Sequence, residues 1–434
     1  MKHTSVINRD GRFKELLSAS GLAFFVKAIA ALGTFVLNVL IARLIGIEQS
    51  GYFNLALSIV TLISILSLQG FNNVLVRFIS AYRASGKGDE YNQVYIFAVL
   101  RTMPASIAAS FSLIYFSDWI SITIFGKENL SDVISILSLS IAPLAICHIN
   151  GYSFQGVKKV VHSMLALSAG VPIVLVPLIF IFEPTNAIET SSYYLLATLF
   201  VCITSSSIWY IYFRPKISLP EINVRKEVSA PLLSMFFIVL MTQITMWMGQ
   251  IFLGVVGTAT DVALFSSAQR TALLTSFILV SVNSIAAPKF AEAYRNADYE
   301  GIRDTARFSS RLMSAIAVPV LIFIFIFSDW IMSLFGEEFR ESANILRVLA
   351  VGQFINVISG SVGFILQMTG KEKYFKYSLM VSCFLLLLIG PLASYFHGAL
   401  GMAYVIAICM STQNLLSVYF VKKKFGFNTM AFWR

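Results

Sequence analysis

Five charged side chains stand inside the apolar stretches of this 434-residue chain, and all five are basic: Lys27, Arg101, Arg270, Arg311 and Arg347. Every Asp and Glu falls in a polar loop or at the edge of an apolar stretch. An ionisable group in hydrocarbon costs at least about 2.5–3.5 kcal/mol, so it either faces an interior cavity or snorkels to the nearest interface. Lys27, Arg101 and Arg311 lie within snorkelling reach of one face, and for each both an anchoring role and a cavity role are open. Arg347, close to the opposite face, reads first as an anchor. Arg270 lies deeper, after the uncharged polar run Ser266-Ser267-Ala268-Gln269, and is the foremost candidate for a cavity cation. A cavity holding cations and no carboxylate attracts an anion. It also lacks the acidic relay on which proton or sodium coupling commonly rests.

Neutral polar residues form a second layer. Asn38 and Gln250 are related by an offset of 212 residues, and Gln243, Trp247 and Gln250 follow the i, i+4, i+7 spacing that places them on one helical face. Amides beside an aromatic ring suit a sugar; amides also join helices to one another in membranes. His148 could relay protons, but a hydrogen-bonded packing role is the simpler reading. The four cysteines (Cys147, Cys202, Cys383, Cys409) have no metal-ligand spacing and read as small packing residues. Pro104, Pro143, Pro172, Pro177, Pro319 and Pro391 mark expected kinks. No P-loop, dinucleotide-binding glycine run or nucleophile elbow is present, so neither an enzyme's catalytic residues nor a cofactor or metal is expected.

The elements that must position these residues are transmembrane helices. Charged residues are only 12% of the chain against the roughly 25% of a soluble domain, apolar residues reach 57%, and the mean hydropathy is +0.78. About 20 mostly apolar residues cross a bilayer. That ruler gives spans near 20–42, 52–75, 94–117, 132–155, 160–182 and 192–213, then 229–255, 262–287, 308–333, 343–368, 375–396 and 398–421. Of the 32 Lys and Arg, 24 fall on one side of this arrangement, which makes that side and both termini cytoplasmic. Arg43, Lys127 and Arg340 are the exceptions on the far side, where Trp119 and Trp330 mark the aromatic belt. The excess of basic residues thus follows topology, and no basic stripe or aromatic-basic module points to nucleic acid. No cleavable signal peptide is expected.

The halves are copies. Arg77-Phe78-Ile79-Ser80-Ala81-Tyr82-Arg83 recurs as Lys289-Phe290-Ala291-Glu292-Ala293-Tyr294-Arg295, and Phe116-Ser117-Asp118-Trp119-Ile120 recurs unchanged as Phe327-Ser328-Asp329-Trp330-Ile331. Arg101 matches Arg311, Asn72 matches Asn283 and Gln155 matches Gln367, all at offsets of 210–212. The expected fold is therefore an all-α membrane protein of twelve helices in two parallel-repeat six-helix lobes. Residues 1–213 form the first lobe, 214–227 a cytoplasmic connector and 228–434 the second lobe. Parallel repeats place a substrate site between the halves and work by rocking one against the other, which makes transport the leading class.

Several local patterns resemble the polysaccharide-biosynthesis flippases of the multidrug/oligosaccharidyl-lipid/polysaccharide superfamily. Ala42-Arg43-Leu44-Ile45-Gly46 followed by Gly51-Tyr52-Phe53 is similar to the family's exit from its first helix. Gln69-Gly70 with Arg77 resembles the end of its second, and Ala268-Gln269-Arg270 with Pro288 its eighth-helix pattern. Within the superfamily the likeness is to O-antigen repeat-unit flippases, which are proteins of lipopolysaccharide biosynthesis. The resemblance implies transport of undecaprenyl-pyrophosphate-linked oligosaccharide from the inner to the outer leaflet of the bacterial cytoplasmic (inner) membrane. The partners it implies are that lipid-linked oligosaccharide, the bilayer, and a polysaccharide polymerase and chain-length regulator. Arg270, with Lys27, Arg101 and Arg311, would attract the pyrophosphate, and Asn38, Gln243, Trp247 and Gln250 would meet the sugar. Lipid II flippases are also similar, but they typically have fourteen spans, and their first-helix Arg-Asp pair is replaced here by Leu37-Asn38. A drug or cation antiporter of the same fold is one alternative, disfavoured by the missing in-span carboxylates. A membrane-embedded glycosyltransferase or polymerase is another, disfavoured by loops of no more than about twenty residues.

Overall fold

The computed structural model describes residues 4–86, 88–213 and 221–430, with side chains from residue 31 onward apart from several positions between 278 and 291. Its first element, α1 (Thr4–Ser67), is one long helix broken at Gly46, followed by α2 (Phe71–Ala84) and α3 (Gly88–Tyr115). A one-turn α4 (Ser117–Trp119) precedes α5 (Leu130–Ser138) and α6 (Ile141–Gly156). The short α7 (Val160–Met164) passes through a π-turn into α8 (Gly170–Phe182), and α9 (Ala187–Phe213) ends the first half. The second half runs through α10 (Ile222–Ser229), α11 (Leu232–Val256), α12 (Ala259–Leu273), α13 (Phe277–Arg295) and α14 (Tyr299–Ser333). It ends in α15 (Ala343–Ile358), α16 (Val362–Met368) and α17 (Glu372–Phe425), the last broken at Gly398.

No strand occurs among the described residues, as a chain embedded in lipid requires: only helices satisfy their own backbone there, short of a closed barrel. Seven helices are long and apolar enough to cross a membrane, or nine if the bent pairs α5–α6 (44°) and α15–α16 (42°) are each one span. Eleven of the twelve expected stretches fall largely on these helices or bent pairs, and the other, 262–287, falls on α12 and α13, which are not among them. The divisions within α1 and α17 come from Gly46 (φ 77°) and Gly398 (φ 54°), whose left-handed backbone only glycine adopts without cost.

Proline accompanies one break, the 44° bend between α5 and α6, where Pro143 stands in the first turn of α6. The helices run on through Pro104, Pro177, Pro319 and Pro391. At Pro172 the lost backbone bond is absorbed by the π-turn Leu165–Ala169 just ahead of it.

Packing divides the molecule into a joined end and a separated end. Near Trp119 and Trp330, one apolar core takes residues from both halves, among them Leu55, Ile134 and Leu175 with Leu253, Phe265 and Met402. At the end that holds the connector, the cores are separate. Leu75, Ile149, Trp209 and Val228 belong to one, and Phe290, Ile302, Leu366 and Val421 to the other. α10 docks on the first half: the Glu221 backbone N–H donates to Gln93 Oε1 at 3.0 Å, and Tyr82 donates to Glu227 at 2.7 Å. Burial and that carboxylate push the Tyr82 phenol up to about 12. α11 bridges the two regions, starting against Gly70 and ending in the shared core.

At the tryptophan end the halves approach closely, and a Cβ on Gly51 would stand 1.9 Å from the Ala259 carbonyl oxygen. Two of the three cations that broke the charge bias close this seam. The Lys127 ammonium, from the first half, donates to the Gly254 and Gly257 carbonyls at 2.6 and 2.8 Å, capping the C-terminus of α11. Burial lowers its pKa from the ordinary lysine value, with Asp261 acting in the opposite direction. Arg43 donates to the Leu334 carbonyl at 2.6 Å, at the C-terminus of α14. A cation at a helix C-terminus contributes about 0.3–1 kcal/mol. Removing both caps should loosen the seam by roughly 0.6–2 kcal/mol, about a factor of 3–30. In a chain whose native cysteines are replaced, Ala259→Cys reports on this buried joint. Adding Arg43→Gln and Lys127→Met is expected to speed its labelling by a membrane-impermeant maleimide by that factor, and an unchanged rate would show that the caps do not hold the joint.

Candidate functional site

Arg270 lies where the halves meet. Its helix, α12, starts on a capping box between Thr258 and Asp261 and is buried along almost its whole length. The Arg270 Nη1 donates to the Asn38 side-chain oxygen on α1, in the opposite half. Asn38 is itself buried and fixed by its own amide donating to the Thr34 carbonyl at 2.6 Å. Tyr194 of α9 is within electrostatic reach of the guanidinium. A guanidinium carries five donors, and among the described residues no carboxylate pairs with this one. The positive charge at the seam therefore has a neutral amide as its bonded partner, and keeps donors for something else.

The remaining cations are distributed apart from this pair. Arg101, exposed on α3, donates from Nε to Gln69 Oε1 at 2.7 Å, at the turn between α1 and α2. Arg311 is exposed on α14, at the equivalent position of the second half. Arg347 is tied to Asp329 at 2.5 Å and to Asn344 at 2.7 Å, which makes it an anchor at the tryptophan end. The Lys27 side chain lies outside the described residues.

The three α11 residues expected to meet a sugar are used differently. Trp247 Nε1 donates to Gln243 Oε1 at 2.9 Å, so these two pair along the helix and remain half-buried. Gln250 is fully buried and donates to Gln269 Oε1 at 3.0 Å, locking α11 to α12 beside Arg270. Gln269 in turn donates to the Met246 carbonyl at 3.3 Å. Gln250 is thus a support for the Arg270 helix. Four further amides, Gln353, Asn356, Gln413 and Asn414, gather around a cavity next to Gln269. Their signal in the sequence was only that of amides within apolar stretches, at i, i+3 spacing on α15 and adjacent on α17. His148 stacks against Tyr152, with ring centroids 6.4 Å apart, and its Nδ1 has no partner. The four cysteines are free thiols.

Arrangements of this kind have solved counterparts. The chain is similar to an inward-facing multidrug resistance MATE family transporter of the MOP superfamily, with a TM-score of 0.76 and 15% identity over 92% of this chain and 94% of that one. It is similar also to the lipid II flippase MurJ in an inward closed conformation, with a TM-score of 0.75 and 15% identity over 92% and 87% of the two chains. An outward-facing MATE transporter gives a TM-score of 0.69 at 13% identity over 95% of each chain. No curated protein matches the chain in sequence. The model of the family described as polysaccharide biosynthesis protein matches residues 40–344. With the fold of the MOP-superfamily transporters and that match over most of its length, the chain belongs to the polysaccharide biosynthesis protein family.

Proposed function

We propose that the chain is a flippase for undecaprenyl-pyrophosphate-linked oligosaccharide. It moves this lipid from the inner to the outer leaflet of the bacterial cytoplasmic membrane by alternating access between two six-helix lobes, residues 1–213 and 228–434. The observation that carries the proposal is the seam cation: Arg270 is bonded to a neutral Asn38, and among the described residues no carboxylate neutralises it. A pyrophosphate is the substrate group that such a charge attracts, since a guanidinium fork matches its oxygens bidentately. Placing the connector and both termini in the cytoplasm, as the charge bias requires, opens the separated end toward the side on which the lipid carrier is loaded. Arg101 and Arg311, exposed on the third span of each half, would form an electropositive approach to Arg270, with Lys27 a further candidate for that approach. The Gln243–Trp247 pair on α11 would meet the saccharide.

The sign of the charge also sets the driving force. The headgroup carries about two negative charges, and each is worth about 2.3 kcal/mol per 100 mV, so an inside-negative membrane favours outward movement of the anion. With no in-span carboxylate to bind a coupling cation, the potential acts on the substrate itself.

Two outcomes follow. Arg270→Ala should reduce flipping in proteoliposomes by at least about a hundredfold while inserting and folding normally, and Arg270→Lys should keep part of the activity because charge survives while the fork is lost. Normal flipping by the alanine variant would remove Arg270 from the mechanism. A valinomycin-set potassium potential should bias flipping with no proton or sodium gradient, and reversing its sign should reverse the bias. A bias that follows only an ion gradient would refute the potential-driven step.

A further inference from the structure

Within the second half, α11, α12, α15 and α17 enclose a cavity of about 200 Å³. Its lining holds the amides of Gln269, Gln353, Asn356, Gln413 and Asn414, the hydroxyl of Thr245 and the ring of Phe375, and no lining residue is ionisable. Several polar atoms there have no partner among the described residues. Asn356 donates to Gln353 Oε1 at 3.4 Å and Asn414 to the Met410 carbonyl at 2.9 Å. The Gln353 amide nitrogen, the Asn356 and Asn414 oxygens and both ends of Gln413 remain open. Open amides in a membrane protein's interior are costly unless something occupies the space beside them.

The occupant's chemistry is constrained. The cavity carries no formal charge on its lining, so it offers neither a carboxylate to balance a cation nor a cation to balance a phosphate. Its volume equals about seven water molecules at ~30 Å³ each, which is room for one small ring. Convergent neutral donors and acceptors beside an aromatic ring match a hydroxyl- or acetamido-bearing sugar. Gln269 lines this cavity while the next residue, Arg270, turns to the seam. We propose that the cavity is a monosaccharide subsite, which takes one sugar unit of the transported lipid while Arg270 holds its phosphates. The proposal rests on the flippase function given above.

Full-length protein in nanodiscs separates the two. The probes are bare undecaprenyl pyrophosphate and the same lipid bearing one glucose, galactose, rhamnose or N-acetylglucosamine, with binding read by intrinsic fluorescence. At least one sugar should tighten binding about tenfold over the bare lipid. Gln353→Leu with Gln413→Leu should erase that gain and leave binding of the bare lipid unchanged, whereas Arg270→Ala should weaken both. Gln413→Met, closer in volume, should lower the gain several-fold with an unchanged thermal melt. No gain from any sugar in the wild type would mean a cavity filled by water alone and would overturn the subsite, as would a gain that survives the double substitution. A sugar gain that persists while Arg270→Ala binds the bare lipid normally would instead refute the pyrophosphate assignment and keep the subsite.

Discussion

A guanidinium held in the interior of a membrane protein without a counter-carboxylate is the constraint around which this molecule is organised. Pairing Arg270 with an Asp would satisfy the charge and lower the cost of burying it. The chain supplies Asn38 instead, which orients one arm of the guanidinium and neutralises nothing. The arrangement is tolerable because the halves share their core at this level, with Leu37, Ala263 and Ala268 buried around the pair. It has a chemical consequence as well, since under the proposed function the uncompensated charge would attract the anionic headgroup.

The same economy of charge accounts for the cations on the far side. Arg43 and Lys127 run against the topological bias, yet each ends on the C-terminal carbonyls of a helix from the opposite half. These caps are neutral-partner bonds that can be made and broken without stranding a buried carboxylate. Together with the close approach of Gly51 to Ala259, they join the two halves at the tryptophan end. Arg340, the third exception, forms an exposed pair with Glu337 at 3.1 Å, of the kind that contributes little.

Much of this was legible in the sequence, because hydrocarbon leaves few choices. The length of apolar stretches located the helices, and the duplicated Phe-Ser-Asp-Trp-Ile segment foretold that Trp119 and Trp330 occupy equivalent ends, where both are 56% exposed. Arg270 and Asn38 could each be singled out by type and depth. Their bond could not, since 232 residues separate them and no periodicity reports a contact between halves. Gln243, Trp247 and Gln250 share a helical face by spacing, but a face does not say whether its residues bond to one another, to a neighbouring helix or to a ligand. The cavity amides were passed over for the same reason: Gln353, Asn356, Gln413 and Asn414 come from two distant helices and meet only through packing. Of the prolines, Pro143 stands at the bend between α5 and α6, while Pro104, Pro177, Pro319 and Pro391 lie inside helices that continue past them, since a helix in a packed bundle can absorb one lost bond.

The central claim is that the charge at the seam is left open for the substrate, and the partner residue tests it without touching the cation. Asn38→Asp keeps size and shape but places a carboxylate on Arg270, whereas Asn38→Ser keeps a neutral partner. Flipping of a fluorescent undecaprenyl-pyrophosphate-linked saccharide in proteoliposomes should fall by about a hundredfold or more in Asn38→Asp, with a thermal melt at least as high as that of the wild type. It should stay within several-fold of wild type in Asn38→Ser. An Asn38→Asp protein that flips the lipid at the wild-type rate would contradict the account.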